Sequence, residues 1–323
     1  MQNSLTETQV RTPEATRPEQ ASRKDQQPSR RQDLKRPSGS TGTFRRKIMN
    51  SNGETCWLNS GLQMILCSLD HSQSFQSVSS LGFNMELNQA EELIDPSTIK
   101  LLIQTEININ DIRQQNILTG YQDTKDLLVL LGENKVSWPD IYSHLYHTTV
   151  QKITCESCQA ESISESVEQL FFEYHCPPDN TSLKSHLEGN INYGSSITYR
   201  CNMCHETGEA RQQHQIKTEA SSMYFLITLQ RIGEDYYKNR VDATKELTLL
   251  DSNNHPRNYF PISIIHHRGG IQSGRNISQH YMCDVFCQRD QMWYHTSDSS
   301  EPRQLRKDEV SKTGYIILFR RKS

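Results

Sequence analysis

The chain has 323 residues, enough for one large domain or two at roughly 150 residues each. Only 34% are hydrophobic, too few for a uniformly packed chain, so a disordered part is expected beside a folded one. No apolar run approaches the ~18 residues of a membrane span, and the first thirty residues lack the apolar stretch of a secretory leader; the expectation is a protein of the cytoplasm or nucleus with no membrane role.

Residues 1–47 carry 11 Lys+Arg against 5 Asp+Glu, with Pro13, Pro18, Pro28 and Pro37 and almost no aliphatics. They read as a basic disordered tail. The remaining residues hold 24 basic and 33 acidic groups, a net charge of -9. Such a folded part favours a basic partner surface and disfavours nucleic acid. From Thr55 to Asp70, Leu58, Leu62, Ile65 and Leu66 recur at helical spacing. A second helix starts near Asp95-Pro96, with Ile99, Leu102 and Ile103 on one face. A third follows Asp123, with Leu127, Leu128, Leu130 and Leu131 ahead of Gly132 as its C-cap.

After about residue 150 strand patterns take over. They are Val167 with Leu170 to Tyr174, then Tyr224 to Leu229, Ile262 to Ile265, Tyr281 to Phe286, and Tyr315 to Phe319. A helix-rich first half and a sheet-rich second half predict an α+β fold with the site where the halves meet.

Cys155-Glu-Ser-Cys158 and Cys201-Asn-Met-Cys204 are two C-x-x-C knuckles. Four thiolates suit one tetrahedral structural zinc with Zn–S near ~2.3 Å, and no third ligand with an open fourth position marks a catalytic metal. The long segment between the knuckles predicts inserted strands and a short helix around Leu183–Leu187. His205 and His214 read as surface histidines.

Cys56 begins a helix, where backbone N–H groups and the helix dipole are expected to lower a thiol pKa. His280 stands far downstream at the head of a strand. A cysteine and a histidine distant in sequence and joined by the fold form a thiol-protease pair, with a third group orienting the imidazole. Ser297 and Asp298 are the candidates. Cys67, Cys176, Cys283 and Cys287 read as small buried residues.

These blocks resemble the ubiquitin-specific proteases. NGETCWLNSGLQ at 52–63 resembles the cysteine box G-N-T-C-Y-M-N-S-x-L-Q of that family. QHY at 279–281, with WY at 293–294 and SD at 297–298, resembles the histidine box. QDTKDLL at 122–128, LQRI at 229–232 and GYIILF at 314–319 resemble three further blocks in the family's order. The likeness spans about 45–321. It implies a papain-like cysteine protease fold with a helical thumb (about 48–150), zinc-bearing β fingers (about 151–222) and a β-sheet palm (about 223–323). It implies a monomer that hydrolyses the (iso)peptide bond after ubiquitin's C-terminal glycine. Cys56 would be nucleophile and His280 base then acid, Asp123 would grip the ubiquitin tail, and Tyr281 would line the channel over the two glycines.

The sequence departs from the family pattern at the chemistry. Ser51 stands where the oxyanion asparagine is usual, with Asn52 one residue on. Ser297 takes the place of the first acid of the family's D-D pair and Asp298 that of the second; Asp298 is the expected third triad member, because an ionised carboxylate stabilises imidazolium better than a hydroxyl. Gln279 replaces a glycine. These departures keep open a catalytically weak or inactive ubiquitin-binding scaffold; a protease for another ubiquitin-like modifier is a further alternative, since finger and palm contacts decide that choice.

Overall fold

The computed structural model describes residues 47–48, 50, 55–70, 93–95, 97, 100–101, 123–133, 145–177, 182–217, 223–230, 239–272 and 275–322. All of them fall in one unit spanning 41–323. The expected disordered tail lies outside the described residues, apart from the backbone of Lys47. So do Ile99, Leu102 and Ile103 of the second expected helix.

Two described helices carry the thumb. Helix α1 (Cys56–Asp70) buries Leu58, Leu62, Ile65 and Leu66 as the helical spacing predicts. Helix α2 (Thr124–Glu133) starts where Asp123 Oδ1 accepts the Lys125 N–H at 2.8 Å, an N-cap interaction. Gly132 lies inside α2 rather than capping it. A Cβ there would meet the Tyr146 ring at 2.7 Å, so close packing, not a C-terminal turn, selects glycine. Asp95 accepts the Ser97 N–H at 2.9 Å, and residues 97, 100 and 101 are helical, which places a helix start where Asp95-Pro96 predicted one.

The sheets follow in chain order. Strands β1 (Lys47–Ile48) and β2 (Leu93–Ile94) form a small parallel pair. Strands β3 (His147–Cys155), β4 (Glu161–Ile163), β5 (Val167–Gln169), β7 (Ser195–Arg200) and β8 (Thr207–Ile216) make a five-stranded finger sheet of order β4-β3-β8-β7, with β5 also on β3. The larger sheet has eight strands in the order β14-β13-β12-β11-β15-β9-β6, with β10 on β11. These are β6 (Phe171–His175), β9 (Tyr224–Gln230), β10 (Leu247–Leu250), β11 (Pro256–Gln272), β12 (Arg275–Cys287), β13 (Met292–Thr296), β14 (Arg303–Leu305) and β15 (Gly314–Arg321). The short helix expected between the knuckles is α3 (Leu183–Glu188).

The eight-stranded sheet is buried on both faces, which is why its central strands read as unbroken apolar runs rather than alternating ones. Tyr224, Leu226, Ile316 and Leu318 join α1 and α2 in one core. Phe225, Ile227, Ile317 and Phe319, one residue out of step, build a second core with α3 and Tyr259. Phe225 stacks on Phe319 at 5.0 Å between centroids and meets Tyr259 edge-on at 4.7 Å. Tyr281, Cys283, Val285 and Cys287 of β12 face α1. That packing holds the start of α1 against the head of β12, where the candidate site lies.

Candidate active site and cysteine cluster

Cys56 is the first residue of α1 and is only 1% exposed. The backbone N–H of Tyr281, the residue after His280 on β12, is directed at its thiol. The backbone of the residue that follows His280 therefore reaches the Cys56 thiol. The expectation of a depressed thiol pKa is corrected. Burial pushes the Cys56 thiol up and the charge of Asp298 adds to this, and the N–H groups of Tyr281, Trp57 and Cys56 itself offset it only in part. Helix-terminus stabilisation is real here, but desolvation outweighs it.

His280 is held from one side of its ring. Its Nε2 lies 3.0 Å from Ser297 Oγ and 3.8 Å from Asp298 Oδ2. Ser297 is thus at hydrogen-bond distance, and Asp298 at the distance of an ion pair when the imidazole is protonated. With Nε2 engaged, Nδ1 is the nitrogen left for a thiol proton. Both partners lie just beyond β13, with Asp298 in the left-handed region at φ 46.

Asp298 is anchored more firmly than the sequence suggested. Asn59 Nδ2 donates to its Oδ1 at 2.6 Å and Asn50 Nδ2 to its Oδ2 at 2.8 Å. The Ile48 N–H donates to its carbonyl at 3.2 Å. Asn50 Oδ1 in turn accepts the Thr55 N–H at 3.1 Å and the Thr55 hydroxyl at 3.0 Å, directly ahead of Cys56. Neither asparagine had been assigned a role from sequence. Asn59 sits three residues past Cys56, one helical turn on and on the same face, and that spacing was the available signal. Ser51 and Asn52, the candidate oxyanion donors, lie outside the described residues.

Asp123 and Tyr281 are linked through Tyr315. Tyr315 donates its hydroxyl to Asp123 Oδ2 at 2.7 Å. The Tyr281 ring lies 6.5 Å from that of Tyr315 and 4.5 Å from that of His267. Burial holds the His267 imidazole below its usual pKa; the Asp123 charge opposes this and His280 reinforces it. His267 and Tyr315 were missed from sequence; His267 sits on β11, which pairs with β12, and Tyr315 on β15, one strand further on, an arrangement that the sheet order reveals. Lys125, just inside α2, pairs with Glu173 of β6, tying the thumb to the palm edge.

The four cysteines assemble as expected. Their sulfurs all lie within 4.8 Å of one another, with Cys155 to Cys204 at 3.9 Å and Cys158 to Cys201 at 3.6 Å. Zn–S bonds near 2.3 Å around a tetrahedron put sulfurs about 3.8 Å apart, so the spacing fits one zinc ion. The two knuckles share one hydrogen-bond pattern. Gln159 N–H donates to Cys155 O and His205 N–H to Cys201 O, each at 2.9 Å, and both Gln159 and His205 take positive φ, 59 and 61. The N–H groups of Cys204 and Met203 hold the Cys201 thiol down to about 7. At Cys158 and Cys204 backbone N–H groups also act to lower the thiol, but burial and the neighbouring thiols outweigh them and push those two up, so the geometry rather than the titration carries the metal reading. Gly194 leads into β7 at φ 73, where a Cβ would run into the Gln212 carbonyl. Zinc held by Cys155, Cys158, Cys201 and Cys204 would supply folding stability to the finger tip and no chemistry at Cys56. His205 and His214 are not needed by this set.

No protein-family model and no curated protein matches the sequence. Solved structures do. The SAGA Ubp8/Sgf11/Sus1/Sgf73 DUB module bound to ubiquitin aldehyde matches with a TM-score of 0.59 and 18% identity, over 87% of this chain and 70% of that one. The same module with a Ubp8 variant bound to monoubiquitin gives 0.62 and 18%, over 88% and 71%. A yeast SAGA DUB module with an Sgf73 mutant gives 0.57 and 16%, over 87% and 69%. The chain has the α+β fold of the ubiquitin-specific protease catalytic domain represented in these modules.

Proposed function

We propose that the protein is a cysteine-type deubiquitinase that hydrolyses the bond after ubiquitin's C-terminal glycine. The observation that carries this reading is His280, fixed through Nε2 by Ser297 and Asp298, on the strand residue next to the Tyr281 N–H that meets the Cys56 thiol. Ubiquitin in two of the similar structures supports the choice of substrate. Asp123 and Asp126 at the start of α2 offer negative charge to its arginine-bearing tail.

The raised thiol pKa assigns His280 as a general base rather than a partner to a standing thiolate. Nδ1 takes the Cys56 proton as Sγ bonds to the glycine carbonyl carbon, whose oxygen becomes an oxyanion. Collapse breaks the C–N bond, and the imidazolium returns the proton to the departing lysine amine. Water then attacks the thioester, giving its proton to His280, and the Cys56 sulfur leaves and is reprotonated. The Cys56 N–H is the described oxyanion donor, and Ser51 or Asn52 is the proposed second. Asp298 stabilises the imidazolium through space while Ser297 orients the ring, and Tyr281 borders the diglycine channel. A serine at the shorter distance favours a slow enzyme over a fast one, since a neutral hydroxyl stabilises imidazolium less than a carboxylate. The reading includes a monomer of the cytoplasm or nucleus, consistent with two C-x-x-C pairs present as thiols rather than disulfides.

A ubiquitin C-terminal electrophilic probe tests it. Folded wild-type protein should be labelled and Cys56→Ala should not. Binding of the probe's ubiquitin without labelling would leave a scaffold instead, and preferential labelling by another modifier's probe would reassign the substrate.

A further inference from the structure

Away from Cys56, three side chains on three adjacent strands converge. His266 on β11, Asp284 on β12 and His295 on β13 each offer one ligand atom, and the three atoms lie within 4.8 Å of one another. The strand register explains the meeting. Asp284 pairs with His295, and His266 stands opposite Met282, two residues along the same face of β12. Asp284 is four residues from His280 on that face, about 14 Å along the strand, so the cluster is separate from the thiol chemistry.

We propose that His266, Asp284 and His295 form a second cation site, for zinc or a similar divalent transition metal, independent of the four cysteines. Two imidazoles and one carboxylate are a donor set of that class, and three protein donors leave a fourth tetrahedral position for water. His266 Nε2 is 3.4 Å from Asp284 Oδ1, longer than an ordinary N–H···O bond and close to the ~3.3 Å that separates two ligands of a tetrahedral metal with bonds of 2.0–2.1 Å. His295 Nδ1 is nearer the same oxygen, at 2.7 Å, and has to open by about half an ångström to ligate. Its side chain is 23% exposed and can move, whereas those of His266 and Asp284 are each 2% exposed and pinned. The Ser311 N–H donates to Asp284 Oδ2 at 2.7 Å, the outer-shell bond that aims a ligating carboxylate. His266 Nδ1 is buried with no hydrogen-bond partner among the described residues, so hydrogen bonding within the trio does not by itself account for an imidazole placed here. A bound ion would staple β11, β12 and β13 together two residues before Ser297.

Metal content of the full chain, chelator-stripped and reloaded with zinc alone, tests the proposal. Two zinc ions per chain are expected, falling to one in His295→Gln and to one in Cys155→Ser, with different ions lost. Cobalt titration of the unaltered chain adds an independent readout, because one equivalent should show thiolate-to-metal charge transfer and the other only ligand-field bands of a nitrogen and oxygen site. One ion per folded chain, without the second cobalt spectrum, overturns the site and leaves a hydrogen-bonded trio. Two ions retained in both His295→Gln and His266→Gln place the second ion elsewhere and overturn it equally. Should His266→Gln fail to fold, the partly exposed His295 and the cobalt spectrum decide.

Discussion

Asn59 and Asp298 are 239 residues apart in sequence, and the Asn59 amide donates to the Asp298 carboxylate at 2.6 Å. The bond joins the first turn of α1 to the segment after β13, so the element bearing Cys56 and the loop steering His280 move as one. With Asn50 on the other oxygen, the carboxylate is clamped from both sides.

Asn59→Ala should therefore act on rate and stability together. Losing a buried hydrogen bond to a charged group costs about 1–3 kcal/mol. The expected result is a lower unfolding midpoint and a kcat reduced on the order of tenfold with KM little changed, since the amide touches no substrate. Asn59→Asp, which sets a second carboxylate against the first, should be worse. Unchanged kcat in folded Asn59→Ala would remove Asn59 from any positioning role.

Much of this geometry was legible in the sequence and some was not, for identifiable reasons. The four knuckle cysteines announce themselves because metal ligands need particular residue types at fixed local spacings, whereas Cys56 and His280 stand out only through the ordered blocks that resemble a protease family. The buried runs at Tyr224–Leu229 and Tyr315–Phe319 were readable as strands because they are short, continuous and rich in β-branched and aromatic residues, as strands of a sheet covered on both faces are. Gly132 misled, because a glycine near a helix end looks the same whether it turns the chain or admits the Tyr146 ring. The Cys56 pKa ran opposite to expectation because helix termini are local and visible in sequence, while desolvation depends on what the fold stacks over the sulfur. Asn50, His267, Tyr315 and the His266–Asp284–His295 trio depend on strand order and register, which no local pattern encodes.

Asp298→Asn separates two effects of one charge. The carboxylate raises the Cys56 thiol pKa, so its removal should move the pH profile of Cys56 alkylation by iodoacetamide toward lower pH. The same change takes the anion from beside His280, so turnover should fall, on the order of 10–10³-fold. Faster alkylation at neutral pH with slower hydrolysis is the expected combination. An unmoved alkylation profile would show that the Asp298 charge does not reach the sulfur.

Cys155→Ser removes one corner of the four-sulfur cluster. The variant should lose one zinc ion and the finger sheet should open at lower temperature, because a structural metal's binding energy is folding energy. Molecules that remain folded should alkylate Cys56 at the wild-type rate, since none of the four knuckle cysteines is among the groups described at the Cys56 thiol. Full zinc content in Cys155→Ser would refute the four-thiolate site.

His147 makes the fold acid-sensitive. It opens β3, is 2% exposed and stacks on Phe172 at 4.4 Å between ring centroids. Neither ring nitrogen has a hydrogen bond of ordinary geometry among the described residues; the Leu145 carbonyl favours the charged form only weakly, and burial pushes the imidazole down to about 3 from 6.5. The folded state therefore binds fewer protons than the unfolded state between those values, so this histidine's contribution is fully present above pH 6.5 and is lost as pH falls toward 3. Each pKa unit is 1.36 kcal/mol, so the loss between pH 7 and pH 4 is on the order of 3 kcal/mol. His147→Phe keeps the stack on Phe172 and removes the titration. Urea unfolding of the two proteins at pH 7 and pH 4 should give similar midpoints at pH 7 and a clearly higher midpoint for the variant at pH 4; parallel losses in both proteins would place the acid sensitivity in other groups.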